Sequence, residues 1–140
     1  MRSSAYHILR VGIAITFLWI GVLILKDTQS FSALLQPWAL ELLTKIHGEN
    51  VDAILHQSMI ATAILDILVG IGLLINRFVI IASGLGAIHM FMVISTTAIL
   101  VSVRDIGLLA GCLALLVDSF PHPFVKPRSP KEWLKLIISR

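Results

Sequence analysis

A chain of 140 residues that is 57% hydrophobic and only 14% charged, with a mean hydropathy of +0.94, is too apolar for a soluble domain of its size, in which roughly a third of the unfolded chain's surface would stay wet. Lipid is the solvent that this composition demands. The single cysteine, Cys112, excludes an internal disulfide and in-chain dithiol chemistry, and the net charge of +3 is what a basic membrane protein draws from its cytoplasmic loops rather than a mark of nucleic-acid binding.

Apolar runs long enough to cross a bilayer as helix occur four times. The first spans about residues 8–25, interrupted only by Arg10. No small-residue cleavage site follows it directly, so it reads as a retained helix rather than a signal peptide. An external connection comes next, and within 30–46 the residues Phe31, Leu34, Leu35, Trp38, Leu42 and Ile46 recur at near-helical spacing around Pro37. That spacing predicts a short, kinked interfacial helix. The second span covers about 54–75 and contains His56, Gln57 and Asp66. A two-residue break, Asn76-Arg77, leaves room only for a tight helical hairpin into the third span, about 78–101. Arg104-Asp105 opens the fourth, about 104–120, which stops at Pro121-His122-Pro123. Residues 121–140 form a basic tail that pairs Trp133, Leu134, Ile137 and Ile138 with a basic face, which suits either rest on an anionic inner leaflet or a solvated tail whose charges only fix topology. The fold class is therefore all-α: an integral membrane four-helix bundle over 1–120, with an interfacial helix between spans 1 and 2 and an amphipathic C-terminal tail.

Orientation follows from Lys and Arg. With both termini inside, Arg2, Arg10, Arg77, Lys126, Arg128, Lys131, Lys135 and Arg140 are cytoplasmic, against Lys26, Lys45 and Arg104 outside. Eight against three fits the positive-inside rule and a multi-pass protein of a bacterial-type inner membrane.

Ionisable groups at depth cost several kcal/mol unless paired or wet, which makes each a candidate site. Counting from the Asn76-Arg77 turn, Asp66 lies roughly 16 Å before it and His89 roughly 19 Å after it, so both fall near the midplane on neighbouring antiparallel helices. A carboxylate and an imidazole there can share a proton, relay one or bind a polar head group; as a bland alternative, they lock the two helices together. His56 counts to the outer interface, level with Thr96 and Thr97 and near Lys26, Asp27, Arg104 and Asp105. This ring could receive an anion or a quinone head, or be an ordinary wet boundary. At the inner end, Asp118 is within reach of a salt bridge to Arg10 or Arg77.

Haem shared by His56 and His89 conflicts with their separation of about 12 Å along the bundle axis, which leaves single-histidine ligation at His89 as a minor alternative. No metal-ligand spacing, nucleophile elbow, P-loop or dinucleotide fingerprint occurs. Cys112 reads as a small packing residue. Gly107 and Gly111 make a small-xxx-small pair, and Gly70, Gly72, Gly84 and Gly86 suggest close packing of the central hairpin.

Three segments carry a family likeness: LRVGIAITFLWIG followed by Lys26, LDILVGIGLL, and RDIGLLAGCLALL. Together they resemble the DoxX and DoxX-like group of small four-helix membrane proteins over most of residues 8–118. Gly21 and Lys26 match the Gly-then-Lys end of the family's first span, Asp66 takes the position of an acidic residue that is more often Glu, and Arg104 with Asp105 match the polar pair that begins the fourth. The resemblance implies association with membrane redox chemistry, including quinone-reducing systems and oxidative-stress complexes.

The leading expectation is a DoxX-like membrane subunit of a quinone-linked redox or oxidative-stress system, with Asp66 and His89 as the proton-handling or head-group pair and Lys26, His56, Arg104 and Asp105 at the entry. The alternatives are a non-catalytic accessory subunit of a larger membrane complex, packed through its glycine-lined face, and a small carrier. Expected partners are the lipid bilayer and either other membrane subunits or further copies of the chain, with no nucleic acid.

Overall fold

The computed structural model describes residues 4–119, apart from the side chains of 99–101, and the expected tail at 121–140 lies outside the described residues. It is helical throughout: α1 (Ser4–Lys26), α2 (Thr28–Ser32), α3 (Pro37–His47), a 3₁₀ turn (Gly48–Asn50), α4 (Val51–Leu74), α5 (Val79–Thr96) and α6 (Ile99–Ser119). Three stretches are long and apolar enough to cross a membrane: α1, the continuous run from α3 through α4, and α5. Helix α6 is of similar length, at 21 residues. Their outer faces are apolar, with Trp19, Ile81, Phe91 and Val117 each about two-thirds exposed. Asp66, Ser83, Asp105 and Ser119 are buried instead. Apolar side chains outside and polar ones inside suit a lipid surrounding.

Packing is pairwise between α1 and α4, α4 and α5, α5 and α6, and α1 and α6. Glycine sets the closest approaches. A Cβ on Gly21 of α1 would lie 2.8 Å from the Ala63 carbonyl oxygen of α4, and one on Gly70 of α4 would lie 3.0 Å from the Ala14 carbonyl oxygen of α1. Seven residues up one helix correspond to seven down the other, which fixes an antiparallel register. Of the four glycines assigned to the hairpin, Gly72 meets Ala82 and Gly86 meets Val69 across it, whereas Gly70 packs on α1 and Gly84 faces Leu116 of α6. Gly111 packs against Ile13 of α1, while a methyl group on Gly107 would have nothing within 4 Å among the described residues.

The interfacial segment is two helices rather than one kinked helix. Asp27 caps α2, and α3 begins with Pro37 in the first turn, where its missing N–H costs nothing. Proline also holds Gln36 extended, which breaks the helix at 33–36. Gly48, at φ +56, then turns the chain into α4.

Helix α5 ends at Thr96, five residues short of the expected end of the third span, and the turn falls at Thr97-Ala98 instead of Arg104-Asp105. The cause is tertiary. The Gln36 N–H donates to Thr96 O, and the Ala98 N–H donates to Leu34 O, so a short strap at 34–36 pairs with 96–98 around Leu35 and Thr97. The Gln36 side-chain amide adds a bond to Thr97 O at 2.9 Å. As a result Arg104 and Asp105 lie inside α6, about 8–9 Å from its start.

At the opposite end, Tyr6 and Ser119 share a buried hydroxyl hydrogen bond of 2.9 Å between α1 and α6. Arg10 Nη1 donates to Asn76 Oδ1 at 2.7 Å, which ties the start of α1 to the α4–α5 turn. Among the described residues, Asp118 forms the expected salt bridge with neither Arg10 nor Arg77.

Candidate functional site

The α4–α5 interface is read off one turn at a time. Gly72 faces Ala82, Val69 faces Gly86, and one further turn brings Asp66 to His89. The absence of a side chain at Gly86 lets the helices approach closely just before that pair. His89 Nε2 then lies 3.1 Å from Asp66 Oδ1. The two atoms are close but off the alignment of a well-formed hydrogen bond, and neither has another partner among the described residues. Asp66 is 1% exposed. For Nε2 to donate here, its proton must sit on Nε2 in the neutral ring, or both ring nitrogens must be protonated.

A cavity of about 100 Å³ opens beside Asp66. Its apolar walls come from Ile20 and Ile24 of α1 and Met90 of α5, and Phe31 of α2 and Leu35 of the strap cover it. Its polar lining is Thr62 and Asp66 from α4, Thr96 and Thr97 at the end of α5, and Arg104 and Asp105 from α6. Asp105 is 2% exposed and accepts from Arg104 Nε at 2.9 Å, while the Arg104 side chain is 55% exposed. His89 stands behind Asp66 rather than on the cavity wall.

The cluster thus holds two buried carboxylates, an imidazole and one partly exposed guanidinium, with Asp105 and Arg104 both within electrostatic range of Asp66. Arg104 neutralises one carboxylate. Neutrality of the whole requires one more positive charge at the Asp66–His89 pair, and a single proton on either residue supplies it. Such a pair can therefore take up, hold or pass on one proton in surroundings where an uncompensated charge would be expensive.

The ring of entry residues expected from the sequence is divided in two. Arg104 and Asp105 belong with Asp66, whereas Lys26 and His56 line a broad, open surface depression of about 610 Å³ together with Asp27 and Asp52. There the Ser30 hydroxyl donates to Asp27 Oδ2 at 2.6 Å and its N–H donates to Oδ1 at 3.1 Å. These two bonds hold the Asp27 carboxyl below its ordinary pKa, the hydroxyl having the larger effect.

Sequence reasoning does not single out Thr62, Met90 or the covering role of Phe31 and Leu35. Thr62 carries a signal, because it precedes Asp66 by one helical turn and so shares its face. The strap carries none, since its place over the cavity depends on backbone pairing with 96–98. Cys112 is fully buried, with its sulfur against Gly86, as a packing residue would be. Among the described residues, no group of three or more His, Cys, Asp or Glu is arranged to hold a metal ion.

The cavity is small and combines apolar walls with a few polar groups. At about 100 Å³ it is smaller than the roughly 300–1,000 Å³ of drug-sized ligand sites, so it admits a ring or several waters but not an isoprenoid tail as well. Comparison of the chain with protein-family models, with curated proteins and with solved structures finds no match.

Proposed function

We propose that the chain is a DoxX-like four-helix integral membrane protein, with both termini cytoplasmic in a bacterial-type inner membrane, that serves as a membrane subunit of a quinone-linked redox system. The observation that carries this reading is the Asp66–His89 contact between α4 and α5, with Asp66 also lining a cavity of about 100 Å³. The four long, outwardly apolar helices and the distribution of Lys and Arg support the topology.

When bound, a quinone would supply two-electron chemistry coupled to protons, with electrons coming from a partner subunit. Asp66 would hydrogen-bond the head group, and His89 behind it would hold the proton that the carboxylate accepts or gives up. Apolar walls at Ile20, Ile24 and Met90 would pack against the ring, while Arg104 compensates the charge of Asp105. The test is direct binding of a short-chain benzoquinone to the purified protein, followed by difference spectroscopy. Saturable binding that weakens at least about tenfold in Asp66→Asn, or roughly 1.4 kcal/mol, supports the reading. Equal binding by wild type and Asp66→Asn, or none by either, favours the accessory-subunit role.

A further inference from the structure

We propose that the cavity is a one-sided aqueous entry, with its mouth at Arg104 and Asp105, through which protons reach the Asp66–His89 pair only from the membrane face that carries the α1–α4 connection. The inference rests on the reading of that pair as proton-carrying, and it adds the side and the route.

Arg104 both lines the cavity and is more than half exposed, so the cavity is continuous with the exterior there. Thr62, Asp66, Asp105 and Arg104 then give a polar series leading inward, and the volume holds several waters with polar partners at hand. The series ends at Asp66, whose Oδ1 faces His89 Nε2 at 3.1 Å. Beyond it, the interface closes over Val69 against Gly86 and Leu73, all buried, so no comparable path continues toward the Asn76-Arg77 turn. The titratable and charged groups facing the cavity are Asp66 of α4 and Arg104 and Asp105 of α6, with His89 of α5 behind. The facing positions of α1 and the strap are apolar. A hydronium ion that delivers its proton to the pair leaves water behind, and nothing is oxidised or reduced.

The experiment measures thiol accessibility in oriented vesicles depleted of quinone, so that it is independent of any redox role. In a Cys112→Ala background, cysteines are placed singly at Thr62 and Val93 on the cavity wall, at Ile64 on the exposed face of α4 at nearly the same depth, and at Lys45 to report the α3 side. Thiols react as thiolates in water, so a membrane-impermeant methanethiosulfonate modifies only wetted sites. Thr62→Cys, or Val93→Cys should the first variant fail to fold, is expected to react at least about tenfold faster than Ile64→Cys, and only from the side on which Lys45→Cys reacts. In addition, Arg104→Gln should raise the rate ratio of cationic to anionic reagent at the cavity cysteine by about threefold or more, because the mouth loses its positive charge. Reaction no faster than at Ile64→Cys, equal reaction from both sides, or a charge ratio indifferent to Arg104→Gln overturns the proposal, whatever the outcome of quinone binding.

Discussion

Asp66 Oδ1 and His89 Nε2 face each other across the α4–α5 interface at 3.1 Å, and neither atom has another polar partner among the described residues. Each of these two atoms thus has the other as its nearest polar compensation for burial. Removing either one leaves a buried polar group unsatisfied, at a cost of about 1–3 kcal/mol. Removing both together removes the obligation as well. Unfolding in detergent should therefore show Asp66→Leu and His89→Leu each destabilised, with the double variant less destabilised than the sum of the two. A coupling of about 0.6–2 kcal/mol is expected. Strict additivity would mean that the pair does not interact.

Leu35 and Thr97 occupy opposite positions in an antiparallel bridge, flanked by the bonds from Gln36 N–H to Thr96 O and from Ala98 N–H to Leu34 O. They form a non-hydrogen-bonded pair, the arrangement that brings Cα atoms to about 4.5 Å. Disulfides accept Cα separations of about 4.4–6.8 Å, so Leu35→Cys with Thr97→Cys should cross-link under mild oxidation. Cys112 is fully buried and will not compete. The readout is a reducible shift in the fragment pattern after proteolysis between the two sites. Failure to cross-link would show that the strap does not pair with the α5–α6 turn.

Close helix approach predicts a contrast between two glycines. A methyl group on Gly21 would meet the Ala63 backbone oxygen and the Ile67 side chain at 2.8 Å, and backbone cannot move aside cheaply. Gly107 has open space in the same sense. Gly21→Ala should lower stability by about 1–3 kcal/mol through overpacking. Gly107→Ala should stay within about 0.5 kcal/mol of wild type. Thermal unfolding in one detergent compares the two directly, and equal effects would contradict the α1–α4 packing.

These relationships differ in how far the residues announce them. The Asp66–His89 pairing is legible because a two-residue break at Asn76-Arg77 pins the register of two helices, after which counting along each suffices. Leu35 with Thr97 is not. Hydropathy stays high from Phe78 through Val101, so no local minimum marks the end of α5. Only the run Ser95-Thr96-Thr97 hints at it, and those hydroxyls fold back on Phe91, Met92 and Val93 carbonyls near the helix end. The deciding bonds come from residues about sixty positions away in the chain, which no local pattern encodes. The same long-range pairing moves Arg104 and Asp105 into α6, and so into the Asp66 cavity instead of the Lys26–His56 depression. Three apolar helices are plain from composition and length. Which polar residues share a pocket is decided by packing.

Asp27, outside the helices that carry the apolar spans, supplies the pH-dependent prediction. Its carboxyl is held below the ordinary aspartate value of 3.8 by the Ser30 hydroxyl and N–H. A group whose pKa is depressed on folding stabilises the fold above its unfolded pKa, and that contribution disappears as pH falls through the depressed folded value. The cap on α2 should therefore be intact at neutral pH and weaken only in acid, below the usual aspartate range. Asp27 is fully exposed, so the effect is local to α2 and modest. An NMR titration of the Asp27 carboxyl in detergent should place its midpoint below 3.8, and Ser30→Ala, which removes the hydroxyl but keeps the N–H, should move it part of the way back. A midpoint unchanged by Ser30→Ala would assign the depression to another partner, and the α2 cap would then not depend on the Ser30 hydroxyl.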